Sequence, residues 1–170
     1  MIYYFRGQDI SYKMKDETIM SGISNFEVVD EFSSYDRKAI DDGLATHTIT
    51  EKAPELVYQG LAVLLRNNQG ELNAGLYGKT FWDWLEIEGF WVHPDLRGQG
   101  IGRKLLKAAE AEACKRECVG VYLWTQSFDA PDFYEKAGYE RFAKMPDFPR
   151  GHSRVGFRKK LVPWNGLRSG

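Results

Sequence analysis

Apolar residues along the chain fall into short runs bounded by turn residues, with one clear helical stripe. The runs at 59–66, 72–81 and 84–92 predict three β-strands, and Asn67-Asn68-Gln69-Gly70 predicts the turn between the first two. Successive strands on short links predict antiparallel neighbours. Ile101, Leu105, Ala108, Ala109 and Ala113 recur at helical spacing in a stretch rich in Ala, Lys and Glu. They predict a helix from the glycine-rich turn at 98–102 to about residue 116. A further strand is expected at 119–125. Pro131 suits the first turn of a shorter helix, with Asp129 as its cap and Gly138 as its left-handed stop. Strands at 139–145 and 154–162 then flank the loop 146–153. Toward the N-terminus, Val28 and Val29 centre a predicted strand at 26–32. Ser33 or Ser34 caps a helix reaching about Leu44, and 45–54 reads as a looser link. The order is strand, helix, three-strand meander, helix, strand, helix, two strands. It predicts one α/β domain over 23–162, with a mixed, mostly antiparallel, twisted sheet flanked by helices. Residues 1–22 read as an extension packed on that domain, with a partner-binding arm as the alternative, and 163–170 as a frayed tail.

Composition narrows the function classes. The chain of 170 residues suffices for one domain with a sizeable core. Its 23 basic and 24 acidic side chains leave a formal net charge of -1. That is not the basic field of a protein that grips nucleic acid nonspecifically. Cys114 and Cys118 are too few for a disulfide framework and read as thiols in a reducing compartment. The three histidines are scattered, so no metal site is expected, and His93, just before Pro94, reads as structural. No apolar run reaches the roughly 18 residues of a membrane span, and no signal segment is visible. A cytoplasmic protein without membrane or nucleic-acid partners is expected.

The chemistry begins at Arg97-Gly98-Gln99-Gly100-Ile101-Gly102, which lies between a predicted strand and a predicted helix. Glycines let backbone approach an anion closely, and free N–H groups at a helix start can converge on one phosphate. Arg97 or Arg103 can add charge-assisted bonds. A nucleotide-triphosphate loop would need Gly-Lys-Ser/Thr, which Gly102-Arg103-Lys104-Leu105 does not supply. A dinucleotide fingerprint needs GxGxxG, and glycines at 98, 100 and 102 have the wrong spacing. An acyl-coenzyme A loop and a merely tight turn remain.

The run 92–102, with Arg97, Gly100 and Gly102 in the places of Arg/Gln-x-x-Gly-x-Gly/Ala, resembles the signature of the GNAT superfamily of N-acetyltransferases. A second stretch, Ala130-Pro131-Asp132-Phe133-Tyr134-Glu135-Lys136-Ala137-Gly138-Tyr139, is similar to the helix that lies beside the coenzyme in that superfamily. The element order follows the family from about residue 25 to 162. The resemblance, closest to a bacterial small-molecule-type branch, implies acetyl-CoA as cosubstrate. It also implies a splayed parallel strand pair, 86–92 and 119–125, opening a slot for the pantetheine arm. It assigns coenzyme contacts to Trp91, Val92, Arg97, Gly98, Gln99, Gly100, Ile101, Gly102 and Arg103. Phe133 packs in the core or against the coenzyme. Ser127 stands where many relatives carry a coenzyme-facing asparagine.

Acetyl transfer needs a neutral amine, a stabilised oxyanion and a proton for the departing thiolate. The resemblance implies Tyr134 as the proton donor and the strand amides around Trp91 and Val92, at a bulge, as the oxyanion site. Glu86 and Glu88, two apart on one strand, are the candidate bases, directly or through water, with binding of a cationic substrate as the alternative. Trp82, Trp84 and His152 are candidates for the acceptor side. The expected acceptor is a primary amine of a small molecule, attacking directly in a ternary complex. A peptide or protein amine, and a non-catalytic acyl-CoA sensor, are the alternatives. A homodimer is compatible with the resemblance.

Overall fold

The computed structural model describes residues 26–161 and divides them into a segment ending at Glu51 and a compact unit from Lys52 onward. The stretches 1–22 and 163–170 lie outside the described residues.

In the first segment helix α1 spans Ser34–Thr50. Ser33 is its cap. The Ser33 hydroxyl accepts from Asp36 N–H at 3.1 Å, and Asp36 Oδ2 accepts from Ser33 N–H at 3.2 Å, a reciprocal capping box. The helix runs past the expected stop at Leu44. Thr46, Thr48 and Thr50 return their hydroxyls to the carbonyls four residues back, which fits these β-branched residues into the helix. The predicted strand at 26–32 is not formed. Phe26 and Val28 are 93% and 94% exposed, and no strand among the described residues pairs with them. Apolar β-formers alone do not make a strand without a ladder to satisfy the backbone.

The second unit is built on a six-stranded sheet in the order β1-β2-β3-β4-β6-β5. The strands are β1 Gln59–Arg66, β2 Leu72–Phe81, β3 Trp84–Val92, β4 Gly120–Gln126, β5 Glu140–Pro146 and β6 Ser153–Lys160. Helix α2, Ile101–Lys115, connects β3 to β4, and the short α3, Pro131–Lys136, connects β4 to β5. Among the described residues only β3 and β4 pair in parallel. A parallel pair needs a long crossover, and α2 is that crossover.

One sheet face is apolar. Leu76, Leu85, Ile87, Val121, Leu123, Val155 and Phe157 are buried there with Leu105, Leu106, Ala109 and Ala113 from α2. The small alanines let α2 lie close on the sheet, and each buried leucine contributes about 2 kcal/mol. The opposite face carries Trp84, Glu86, Tyr122, Trp124, Arg154 and Arg158, which alternate with the core residues in register. It bears no helix from this unit among the described residues. Asp129 does not cap α3. Ala130, in the left-handed conformation at φ 51°, is the residue before the helix, and no side chain caps it. Gly138 does take the left-handed stop, at φ 86°.

Candidate active site

The centre of the sheet comes apart in one place. Strands β3 and β4 pair from Trp84↔Gly120 to Ile87↔Leu123 and no further. Each keeps its outer partner to the end, β3 with β2 as far as Val92 and β4 with β6 as far as Gln126. A gap therefore opens beyond Ile87 and Leu123.

A β-bulge sits at the point of parting. Tyr77 pairs with Gly89 and Gly78 with Ile87, so Glu88 has no partner on β2. Gly78 permits the close approach, because a Cβ there would overlap the Glu86 carbonyl oxygen. Past the bulge, His93 donates its N–H to Asn73 O on the β2 side at 2.9 Å. Backbone groups alternate along a strand, so Trp91 also turns toward β2, and Phe90 and Val92 turn N–H and C=O into the gap. Of the two amides named from the family pattern, Val92 faces the gap, as does Phe90, and Trp91 faces β2.

Under the gap lies an aromatic floor. Tyr134 is 7% exposed, with ring centroids of Tyr139, Phe157 and Phe133 at 6.1, 5.5 and 5.2 Å. Phe90 reaches down from β3 to Phe133 at 5.6 Å and Tyr134 at 6.4 Å. Burial, and secondarily the charge of Asp129, push the Tyr134 phenol up to about 12. Its hydroxyl makes no hydrogen bond to another described residue.

Behind β3, the N–H groups of residues 98–103 bond no acceptor among the described residues, while Lys104 N–H makes the first helical bond, to Gly100 O at 3.1 Å. Gly98 and Gly100 stand at φ 76° and 77°, and a Cβ on either would enter open space. The loop is thus a cradle of free amides that only glycine holds without strain. The polar side chains around it brace protein. Arg97 Nε donates to Val92 O at 3.1 Å, Gln99 Nε2 to Asp95 O at 2.8 Å, and Arg103 Nη2 to Lys136 O at 3.4 Å. Ile101 packs at the core edge, and Gly102 lies under Phe133, whose ring a Cβ would meet at 3.1 Å. Ser127 Oγ accepts from Ser153 N–H at 3.1 Å, tying the end of β4 to β6. Beside it, Gln126 Oε1 is buried with no partner among the described residues. A free amide cradle for a pyrophosphate and an orphaned acceptor for an amide N–H both suit acetyl-CoA, which carries those groups.

The polar face of β3 carries the two carboxylates, and between them stands Lys79 from β2. Its Nζ lies 2.6 Å from Glu88 Oε1 and 3.6 Å from Glu86 Oε2. The bond to Glu88 raises the Lys79 pKa, and one of the two negative charges is compensated. On β4, Tyr122 stands opposite Glu86, and burial and then the Glu86 carboxylate push its phenol up to about 12. Trp84 covers Gly120 and meets Tyr122 edge-on at 6.3 Å. Trp82 does not share a strand face with it. Trp82 and Asp83 form the β2–β3 turn at φ 43° and 61°, and Trp82 Nε1 bonds Pro54 O at 3.1 Å. It lines a separate pocket of about 640 Å³ with Thr80, Arg116 and Cys118, at the end of β3 away from the gap. His152 stacks edge-on with Phe128 at 5.1 Å, in the loops beyond the open ends of β4 and β6. Among the described residues no three His, Cys, Asp or Glu side chains gather as a metal site.

A sheet that parts at its parallel pair, over a buried phenol and beside a cradle of free amides, defines a coenzyme A-dependent acyltransferase. Comparison with known proteins agrees. A family described as acetyltransferase (GNAT) domain matches residues 50–141. An acetyltransferase of Agrobacterium fabrum is 33% identical over 81% of this chain and 99% of its own. Blasticidin-S acetyltransferase of Streptomyces morookaense is 38% identical over 61% of this chain and 74% of its own. The crystal structure of an acetyltransferase from Bacillus cereus superposes at a TM-score of 0.71, with 26% identity, over 79% of this chain and 97% of its own. The chain belongs to the GNAT acetyltransferases, and it is an acetyl-CoA-dependent N-acetyltransferase.

Proposed function

We propose that the enzyme acetylates a primary amine of a small molecule by direct attack in a ternary complex. The observation that carries this reading is the bulge at Glu88. It sets Glu86, Glu88 and Lys79 on one sheet face at the point where β3 and β4 part, next to the gap-facing amides of Phe90 and Val92. Acetyl-CoA supplies an acetyl thioester. The residues of the chain do the rest. Glu88 or Glu86, directly or through water, takes the proton that the ammonium must lose before nitrogen can attack. The Phe90 and Val92 N–H groups donate to the carbonyl oxygen as it gains charge. Tyr134 Oη gives its proton to the departing sulfur. The nitrogen thus gains the acetyl group and loses two protons in all, one to the carboxylate before attack and one as the tetrahedral adduct collapses, which restores the proton Tyr134 gives to sulfur, and the C–S bond breaks. Two relatives favour a small acceptor, one named for blasticidin S and one, from Escherichia coli, for L-amino acids.

The test is thiol release from acetyl-CoA against a panel of small amines and amine-bearing peptides. Tyr134→Phe is expected to lower kcat about 100-fold, the smaller end of what a positioned proton donor contributes, with coenzyme affinity near wild type. Glu88→Gln and Glu86→Gln are expected to lower kcat/KM for the amine, most for whichever carboxylate is the base. An unchanged rate in Tyr134→Phe removes that residue from the mechanism. Turnover of peptides alone replaces the small acceptor.

A further inference from the structure

The polar face carries a cation that the reaction described so far does not use. Of the cations there, Lys79 is held by Glu88 and Glu86, and Arg158 by Glu140 at 2.7 Å. Lys160 stands level with Gly120, at the closed end of the gap. Arg154 stands level with Gln126, at the open end, and has no carboxylate partner among the described residues. It is only partly exposed, and it is held in place. Its guanidinium carbon lies 5.3 Å from the Trp124 ring centroid and 5.5 Å from that of Phe148. Phe142 in turn packs edge-on against Trp124 at 5.4 Å. Trp124 is the first β4 residue beyond the last β3–β4 pair, so Arg154 reaches back over the residue that begins the gap.

Aromatic rings hold a guanidinium by its planar face and leave the N–H fork at its edge free. That fork matches a planar carboxylate, with two parallel hydrogen bonds. The same sheet face offers Glu86 and Glu88 to the acceptor's amine at the parting point. We propose that the acceptor is an amino-carboxylate, its amine at Glu86 and Glu88 and its carboxylate on Arg154. This rests on the acetyl-transfer reading above and adds the acceptor's second functional group. Arg154 lies two strands across from Glu86 and four residues further along, about 16 Å between backbone positions, and both side chains reach into that interval, so the amine and carboxylate sit on different carbons of a chain or ring, not on one.

The experiment compares three matched probes, γ-aminobutyrate, its carboxamide, and aminopropylphosphonate, in wild type, Arg154→Gln and Arg154→Lys. The carboxylate is expected to have kcat/KM at least tenfold above the carboxamide in wild type, through KM. Arg154→Gln should bring that ratio toward one, and Arg154→Lys should keep part of it. A merely structural role for Arg154 would lower all probes together and leave the ratio alone, which overturns the proposal. Equal treatment of carboxylate and carboxamide by wild type also overturns it. An Arg154-dependent preference for the phosphonate overturns the carboxylate assignment. Calorimetric binding of the same probes needs no turnover. Arg154-dependent carboxylate binding without thiol release would fault the transfer reading alone, and turnover of amines with no carboxylate preference would fault this inference alone.

Discussion

Tyr134 holds its proton far above neutrality, because burial penalises the phenolate. In the folded state its pKa is about 12, against about 10 for an exposed tyrosine. The proton is therefore present wherever the enzyme works, and no falling limb of kcat below about pH 11 is expected from this group. The same shift links pH to stability. A folded pKa raised above the unfolded one leaves the contribution intact below about pH 10, and it is lost as pH rises toward 12, by about 3 kcal/mol. Urea midpoints should fall over that window, less steeply in Tyr134→Phe, and a flat midpoint would contradict a buried phenol. Tyr134 was visible in the sequence through Ala130–Tyr139. Arg154 was not, because its neighbours Trp124 and Phe148 come to it only through the pairing of β4 with β6 and the fold of a loop. Gly98 and Gly100 were legible for a simple reason, since positive φ selects glycine. Gly100→Ala puts a side chain into the cradle, not into the core. It should weaken acetyl-CoA binding about tenfold, read by calorimetry.

At the scale of elements, α2, α3 and β6 meet on one lysine. Lys159 Nζ bonds both oxygens of Glu110 at 2.8 and 2.9 Å and the Ala137 carbonyl at 3.2 Å. Tyr139 donates to the same carboxylate at 3.0 Å. Glu110 is 13% exposed, so removing its cation leaves a charge little hydrated. Lys159→Met should destabilise by about 2 kcal/mol, discounted from the fully buried case because Lys159 is partly exposed. Adding Glu110→Gln should recover part of that loss in a denaturation cycle. A single variant within error of wild type would show that the pair does not join these elements. The strands themselves were legible because their runs are cleanly bounded. Two elements misled. The stretch 26–32 has the right residues and no partner strand among the described residues, and α1 continues through threonines that propensity alone would end at. The bulge did leave a mark. Apolar core positions step Leu85, Ile87 and then Phe90, Val92, so the alternation slips by one across Glu88.

For the molecule as a whole, the two halves of the sheet are held together at the closed end of the gap by four pairs between β3 and β4, Trp84↔Gly120 to Ile87↔Leu123. Beyond them, among the described residues, α2 and α3 pack across the two halves, Phe133 and Tyr134 against Phe90, and Phe133 over Gly102. A molecule that fills the gap should therefore brace the fold. Acetyl-CoA at about 100 times its dissociation constant should add about 2.7 kcal/mol of stability, seen as a rise in Tm. Gly100→Ala at the same coenzyme concentration should show a smaller rise. No shift in wild type would mean that the gap does not take the coenzyme.

The unpaired Glu88 splits β3 into two stretches of opposite phase. Upstream of it, Trp84 and Glu86 lie on the polar face, and downstream Phe90 and Val92 turn their amides into the gap. The unpaired residue lets each stretch keep its own phase against β2. On the proposed reading of the site, the acceptor can change over evolutionary time through residues 84–88 while the gap-facing amides stay as they are, and a designer who exchanged that short stretch between relatives would be using the same division.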